Sequence, residues 1–213
     1  MIVPSMNSEE LANEILSDQI AVLKKAKYLT KDIRREAIKS KNKYLSKTYE
    51  YKSIHKNDWL ITVEYNNGDP LILPVVYFFK SGGLTSVLVL SGRKTLVQYS
   101  PHFLQRFNER FLKQDNITKL ELLKRFLPQN NIATYDITTY DGGVSSRVFA
   151  RFKEGIGLGT CEQLKNFTMV YLKTYISPEM IKESQGGEFV SISNAFDQYW
   201  DKCVKNLGKD YYD

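Results

Sequence analysis

From Ser5 to Tyr65 the chain contains neither glycine nor proline, so nothing in its first third punctuates regular secondary structure. Within that span Leu11, Ile15, Val22, Ala26, Leu29 and Ile33 recur at intervals close to helical spacing. That is the pattern of an amphipathic helix with one apolar stripe. Asn7 or Ser8 can cap its start, and Glu9 and Glu10 suit the positive end of the helix dipole. Thr30-Lys31-Asp32 can cap a second helix, which leaves one long helix and a helical hairpin both open. In either case the stripe needs a cover, supplied by the rest of the chain or by a partner or dimer mate lying along this helix.

Charge changes along the chain more than the net +6 suggests. Residues 1–23 hold four acids and no base, whereas residues 24–56 hold twelve Lys and Arg against three acids. The remainder is close to neutral, and the change near residue 57 marks a boundary. The expected organisation is a helical, basic N-terminal arm over 1–56 and an α+β domain over 57–213.

Beyond the boundary the chain reads as strands first. Residues 59–65, 71–79, 84–90 and 94–99 are rich in β-branched and aromatic side chains. They are separated by Asn66-Asn67-Gly68-Asp69-Pro70, Ser81-Gly82-Gly83 and Ser91-Gly92. Such short turns favour antiparallel neighbours, since parallel ones need a long crossover. Helices are expected at 101–113 and 118–127, the second ending before Pro128. Strands follow at 133–139, 145–153 and 167–176, then a short helix from Ser177-Pro178. Phe196, Tyr199, Trp200, Cys203, Val204 and Leu207 step by three and four, predicting a closing amphipathic helix. The fold class is α+β, an antiparallel sheet with flanking helices preceded by a long N-terminal helix or helical hairpin.

Several chemistries lack their residues. Two cysteines and two histidines are too few for a disulfide framework or an ordinary zinc site, and no Cys-x-x-Cys, His-Glu-x-x-His or Gly-x-Ser-x-Gly occurs. No metal and no other cofactor is expected. Gly155-Ile156-Gly157-Leu158-Gly159-Thr160 lacks the spacing of a phosphate loop and reads as a turn or bulged strand. The longest apolar run, Leu71 to Phe79, contains Pro74 and falls far short of the ~20 residues that span a bilayer. The N-terminus has no basic start leading into an apolar stretch. A cytoplasmic protein without membrane contact is the expectation.

The densest chemistry lies between Ser100 and Phe111. If Ser100 caps a helix that Pro101 begins, His102, Arg106, Glu109 and Arg110 fall on one side, beside an apolar stripe of Phe103, Phe107 and Phe111. Neutral imidazole can act as a general base, and arginines one turn apart can grip a phosphate by paired hydrogen bonds. The plain alternative is a solvated helix face whose ion pairs are worth under ~1 kcal/mol each. Strand alternation puts Lys173 and Tyr175 on one face, opposite Thr174, as a further cation and proton donor. Arg147 and Arg151 likewise share a face and add positive potential. In the basic stretch, Lys24, Lys25, Lys31, Arg34 and Arg35 are candidate contacts to nucleic-acid phosphates. Tyr28, Tyr44, Tyr49 and Tyr51, interleaved with them, could stack on bases. Ten lysines against two arginines favour loose electrostatic contact over sequence readout. RNA or another polyanion is therefore the expected partner.

The His102-x-x-x-Arg106-x-x-Glu109-Arg110 helix, followed by strands that include Lys173-Thr174-Tyr175, resembles small endoribonuclease toxins of the barnase–RelE type. It is also similar to a His-Phe-x-x-Arg helix found in bacterial and phage proteins. The resemblance covers about residues 95–180, in a chain about twice the toxins' length whose helix follows a meander instead of opening the domain. It implies metal-independent RNA cleavage, with His102 as acid or base and with Arg106, Arg110 and Lys173 stabilising charge on phosphorus. The competing function is a non-catalytic interaction protein whose N-terminal helix packs on a partner.

Overall fold

The computed structural model describes residues 1–66, 70–90, 94–130, 133–140, 145–180, 190 and 193–198, without the side chains of 138–140, 145 and 178. The fold is α+β: a long N-terminal helix, then strands with a few short helices. By internal contacts the chain divides into two compact units, one running from Met1 to Phe78 and the other beginning at Phe79.

In the first unit, α1 (Ser8–Ser40) is one unbroken helix. Its start is a capping box: the Asn7 side chain accepts the Glu10 N–H at 2.9 Å, and the Glu10 carboxylate accepts the Asn7 N–H at 3.0 Å. Its end is Lys41, in the left-handed region at φ 58°, with the Asn42 N–H closing back on the Ala37 carbonyl. The helix buries Leu11, Ala12, Ile15, Asp18, Val22, Ala26, Leu29, Ile33 and Ala37. This stripe packs on β2 (Asp58–Asn66) and the neighbouring β1 (Tyr44–Lys52). Each large aliphatic side chain so buried contributes roughly 1.5–3 kcal/mol. The cover for the stripe is therefore the chain's own sheet.

Residues 44–52 correct the reading of 1–56 as helical throughout. They form a strand paired with β2 over nine consecutive positions, Thr48 opposite Thr62, and β3 (Leu71–Lys80) pairs antiparallel on the other side of β2. The first unit continues well past residue 57, because the charge change there marks how solvated a stretch is and not where its packing ends.

In the second unit β4 (Gly83–Leu90), β5 (Thr95–Tyr99), β6 (Thr134–Tyr140), β7 (Ser145–Arg151), β8 (Ile156–Gln163) and β9 (Thr168–Ile176) lie in the order β4-β5-β9-β8-β7-β6. All pairs are antiparallel except β5–β9, which is parallel. The long excursion between those two strands supplies the crossover that parallel pairing requires. It contains α2 (Pro101–Phe107), a π-helical turn (Asn108–Leu112) and α3 (Lys119–Gln129). α3 runs through Pro128, two residues beyond its expected end, and the Asn130 N–H closes the last turn on Phe126 and Leu127. β8 lies where residues 155–160 read as a turn or bulged strand, and it continues to Gln163. A 3-10 turn occupies Pro178–Met180 and residues 193–198 are helical. The rest of the expected closing helix, including Tyr199, Trp200, Cys203, Val204 and Leu207, lies outside the described residues.

Six rings form the centre of this unit: Tyr99, Phe103, Phe107, Phe126, Phe152 and Tyr175. Most meet edge to face, with centroids 5.0–6.3 Å apart, the arrangement that aromatic quadrupoles favour. Phe103 and Phe107 thus dock α2 on β9. Phe111 stacks on Phe107 at 5.6 Å and stays partly exposed.

Candidate functional site

The start of α2 is tied to β9 by its cap. Ser100 Oγ accepts the Phe103 N–H at 3.1 Å and donates to the Lys173 carbonyl at 3.0 Å, while the Ser100 N–H donates to the Leu172 carbonyl. The side chains of His102 and Lys173 are both exposed. Arg106 Nε donates to His102 Nε2 at 3.3 Å, and its Nη1 donates to Glu109 Oε2 at 2.6 Å. Gln105 Nε2 occupies the other oxygen of Glu109 at 2.7 Å. The hydrogen bonds from Gln105 and then Arg106 hold the Glu109 carboxyl below its ordinary range. The His102 lone pair that a general base would use is thus engaged by Arg106.

Arg110 and Tyr175 are placed differently. The Arg110 guanidinium donates to the Tyr175 carbonyl, locking the π-helical turn to the end of β9. The Tyr175 ring is 1% exposed, packed between Phe103 and Phe107 at 5.5 and 5.3 Å. Its hydroxyl has no hydrogen-bond partner among the described residues, and burial pushes it well above the ordinary phenol range. Tyr175 is a core residue and not a surface proton donor.

The expectation that Lys173 and Tyr175 share a face is corrected by a bulge. Leu158 pairs with Thr174 but Gly159 pairs with Leu172, so Lys173 is an extra residue that reverses the alternation beyond it. The glycines of β8 make the bulge and the packing above it possible. A Cβ on Gly159 would lie 1.9 Å from the Tyr171 carbonyl oxygen, and one on Gly157 would lie 3.0 Å from both the Phe103 and Phe152 rings. A Cβ on Gly155 would fall 2.5 Å from the Tyr175 ring.

Arg147 is exposed on β7. Arg151, half-buried, spends its guanidinium on the chain itself: Nη1 donates to the carbonyls of Phe152, Lys153 and Gly155, and the Phe196 ring lies 5.1 Å away. Desolvation holds its pKa below the usual value. It is a carbonyl clamp more than a source of external potential.

The basic stretch keeps its charge in the open. Lys24, Lys25, Lys31, Arg34 and Arg35 are all exposed on α1, and Lys27, Lys39 and Lys41 join them. Arg35 reaches Asp32 at 3.5 Å, whereas the other seven make no ion pair among the described residues. Tyr28 is 56% exposed, with Lys31 Nζ 5.9 Å from its ring centroid. Tyr44, Tyr49 and Tyr51 sit half-buried in β1, which leaves Tyr28 as the open ring of the four.

One cluster went unnoticed in the sequence. Asp18 is buried in the α1 stripe, and its Oδ2 accepts Asn57 Nδ2 at 2.8 Å and Trp59 Nε1 at 3.1 Å. His55 Nδ1 stands 3.3 Å from Asp18 Oδ1 and 3.1 Å from Ser17 Oγ. Serine and aspartate here approach the same ring nitrogen, whereas a nucleophile–base–acid relay needs them on opposite nitrogens. The cluster therefore ties α1 to the β1–β2 connection. Its signal was the seven-residue gap between Ile15 and Val22, which Asp18 divides.

Among the described residues, no group of three or more His, Cys, Asp or Glu is arranged to hold a metal ion, and no helix is long and apolar enough to cross a membrane. Neither family models, curated proteins nor solved structures match the chain.

Proposed function

We propose that this chain binds RNA phosphates as a polyanion through the solvent face of α1, without reading base sequence. The observation that carries the reading is the set of seven exposed cations, Lys24, Lys25, Lys27, Lys31, Arg34, Lys39 and Lys41, that make no ion pair among the described residues. Lys24, Lys27, Lys31 and Arg34 step by three and four along the helix, so one cation recurs about every 5 Å on the side opposite the buried stripe. Flexible lysine stems suit a phosphate chain of variable geometry better than fixed base edges. Tyr28 adds a ring on which an unpaired base can stack. His102 and Lys173, in the second unit, are also open to solvent.

The reading is tested by anisotropy of a labelled single-stranded RNA across a salt series. Release of about 0.7 counterion per neutralised phosphate predicts a log–log slope of about −3.5 to −5 for five to seven contacts. Binding that is absent at low salt, or that ignores salt, overturns the proposal. Incubating the same RNA with the protein in EDTA separates binding from turnover: cleavage lost in His102→Ala would add the activity that the toxin resemblance implies.

A further inference from the structure

We infer that His55 is a general base that cleaves the RNA strand held by α1, taking the proton from a ribose 2′-hydroxyl beside a phosphodiester. The inference rests on the phosphate-binding reading above and adds a reaction to it.

Ser17 decides which ring nitrogen carries the proton. Its hydroxyl donates its one hydrogen to the Glu14 carbonyl at 2.7 Å, so the same oxygen, 3.1 Å from His55 Nδ1, is left as an acceptor there. Nδ1 is therefore the N–H nitrogen. Two carboxylates stand near it, with Asp18 Oδ1 at 3.3 Å and Glu14 Oε1 at 3.8 Å. Asp18 is 1% exposed, and its other oxygen is fixed by Asn57 and Trp59. The neutral ring keeps its lone pair on Nε2, which has no partner among the described residues, and the side chain is 38% exposed. A buried carboxylate at Nδ1 orients an imidazole as a base and steadies the imidazolium it becomes. His102 differs, since Arg106 donates to its Nε2 at 3.3 Å.

Helical spacing joins this base to the cation row. Ser17, Lys24 and Lys31 are each close to two turns apart, so they line one side of α1. His55 rests on Ser17 and so stands at the N-terminal end of that row, about 10 Å along the axis from Lys24. Lys56, next in the connection, is exposed and makes no ion pair among the described residues. It can neutralise charge gathering on phosphorus.

RNA brings its own nucleophile. His55 Nε2 takes the 2′-hydroxyl proton, the 2′-oxygen forms a bond to phosphorus, and the bond from phosphorus to the 5′-oxygen breaks. The imidazolium returns the proton, through water, to the departing 5′-oxygen. The products are a 2′,3′-cyclic phosphate and a 5′-hydroxyl, and atoms and charge balance without a further reactant.

The test gives the full chain two labelled strands of one sequence in EDTA, a single-stranded RNA and its 2′-O-methyl counterpart. Anisotropy on the 2′-O-methyl strand reports binding alone, and mass spectrometry of the RNA reports cleavage. The RNA should end in 2′,3′-cyclic phosphate. Cleavage should fall about a hundredfold or more in His55→Ala, as for loss of a general base, and return in part when imidazole is added. Asp18→Asn should lower kcat with KM and anisotropy unchanged, a split that a merely structural role would not produce. An RNA strand left intact, cleavage that His55→Ala leaves unchanged, or a loss that imidazole does not restore would each overturn the inference and leave the binding reading standing. A 2′-O-methyl strand that the protein does not hold overturns the binding reading instead.

Discussion

Lys173 and Tyr175 lie two residues apart in β9 yet face opposite sides of the sheet, one in solvent and the other at the centre of an aromatic cluster. The extra residue at Lys173 makes the reversal, and it depends on backbone approaching backbone at Gly159. Gly159→Ala should therefore destabilise the protein by at least the upper end of the ~1–3 kcal/mol typical of overpacking, because the obstacle is a carbonyl and not a movable side chain. Urea unfolding measures this. A variant within experimental error of the parent would mean that the bulge is not held as described.

Asp18 offers a second test, at the opposite extreme of polarity. Removing its carboxylate in Asp18→Ala leaves the Trp59 indole and Asn57 amide without their shared acceptor inside the first unit. Unsatisfied buried donors cost about 1–3 kcal/mol each, so a loss of roughly 3 kcal/mol is expected. Asp18→Asn keeps an acceptor and should lose less. Denaturation followed by tryptophan fluorescence distinguishes the two, and equal losses would argue that packing alone sets the cost.

These two sites also mark where sequence pattern stops being informative. The helical stripe and the Asn7 cap of α1 are local, and so they could be read directly. The strand at Tyr44–Lys52 was concealed because its basic character reports solvation, while its pairing with β2 is a tertiary fact. Nothing in the alternation of Leu172-Lys173-Thr174-Tyr175 records an inserted residue, since the insertion is defined only by Leu158 and Gly159 across the sheet. Parallel pairing of β5 with β9 is invisible for the same reason. Of the group proposed around His102, the capped helix and the Arg106 contact follow from helical spacing. The fates of Arg110 and Tyr175 were set by a π-helical turn and a bulge, neither of which has a marker in sequence.

The hydroxyls of Tyr99 and Tyr135 hydrogen-bond each other, and burial pushes Tyr135 up to about 12 and Tyr99 well above the usual phenol value of 10.0. The folded chain holds these protons more tightly than the unfolded one. Their contribution to stability is thus complete below pH 10.0 and is lost as pH rises toward about 12. Urea midpoints measured across that range should fall with pH, and the fall should be shallower in Tyr135→Phe. An alkaline transition of the same steepness in that variant would assign the effect to other groups.

Tyr28 separates stacking from charge on the face of α1. Base–aromatic stacking is worth about 1–3 kcal/mol per base, so Tyr28→Ala should weaken single-stranded RNA binding by about fivefold to a hundredfold. Duplex RNA of equal length offers no unstacked base and should bind the variant as it binds the parent. Replacing Lys24 and Lys27 with glutamine should weaken both forms and make the salt slope shallower by about 1.4 units for the single strand. Both positions are exposed, so unfolding free energies should stay within about 0.5 kcal/mol of the parent in every variant. Equal losses for single strand and duplex in Tyr28→Ala would make the ring a spacer between cations and leave charge as the sole basis of recognition.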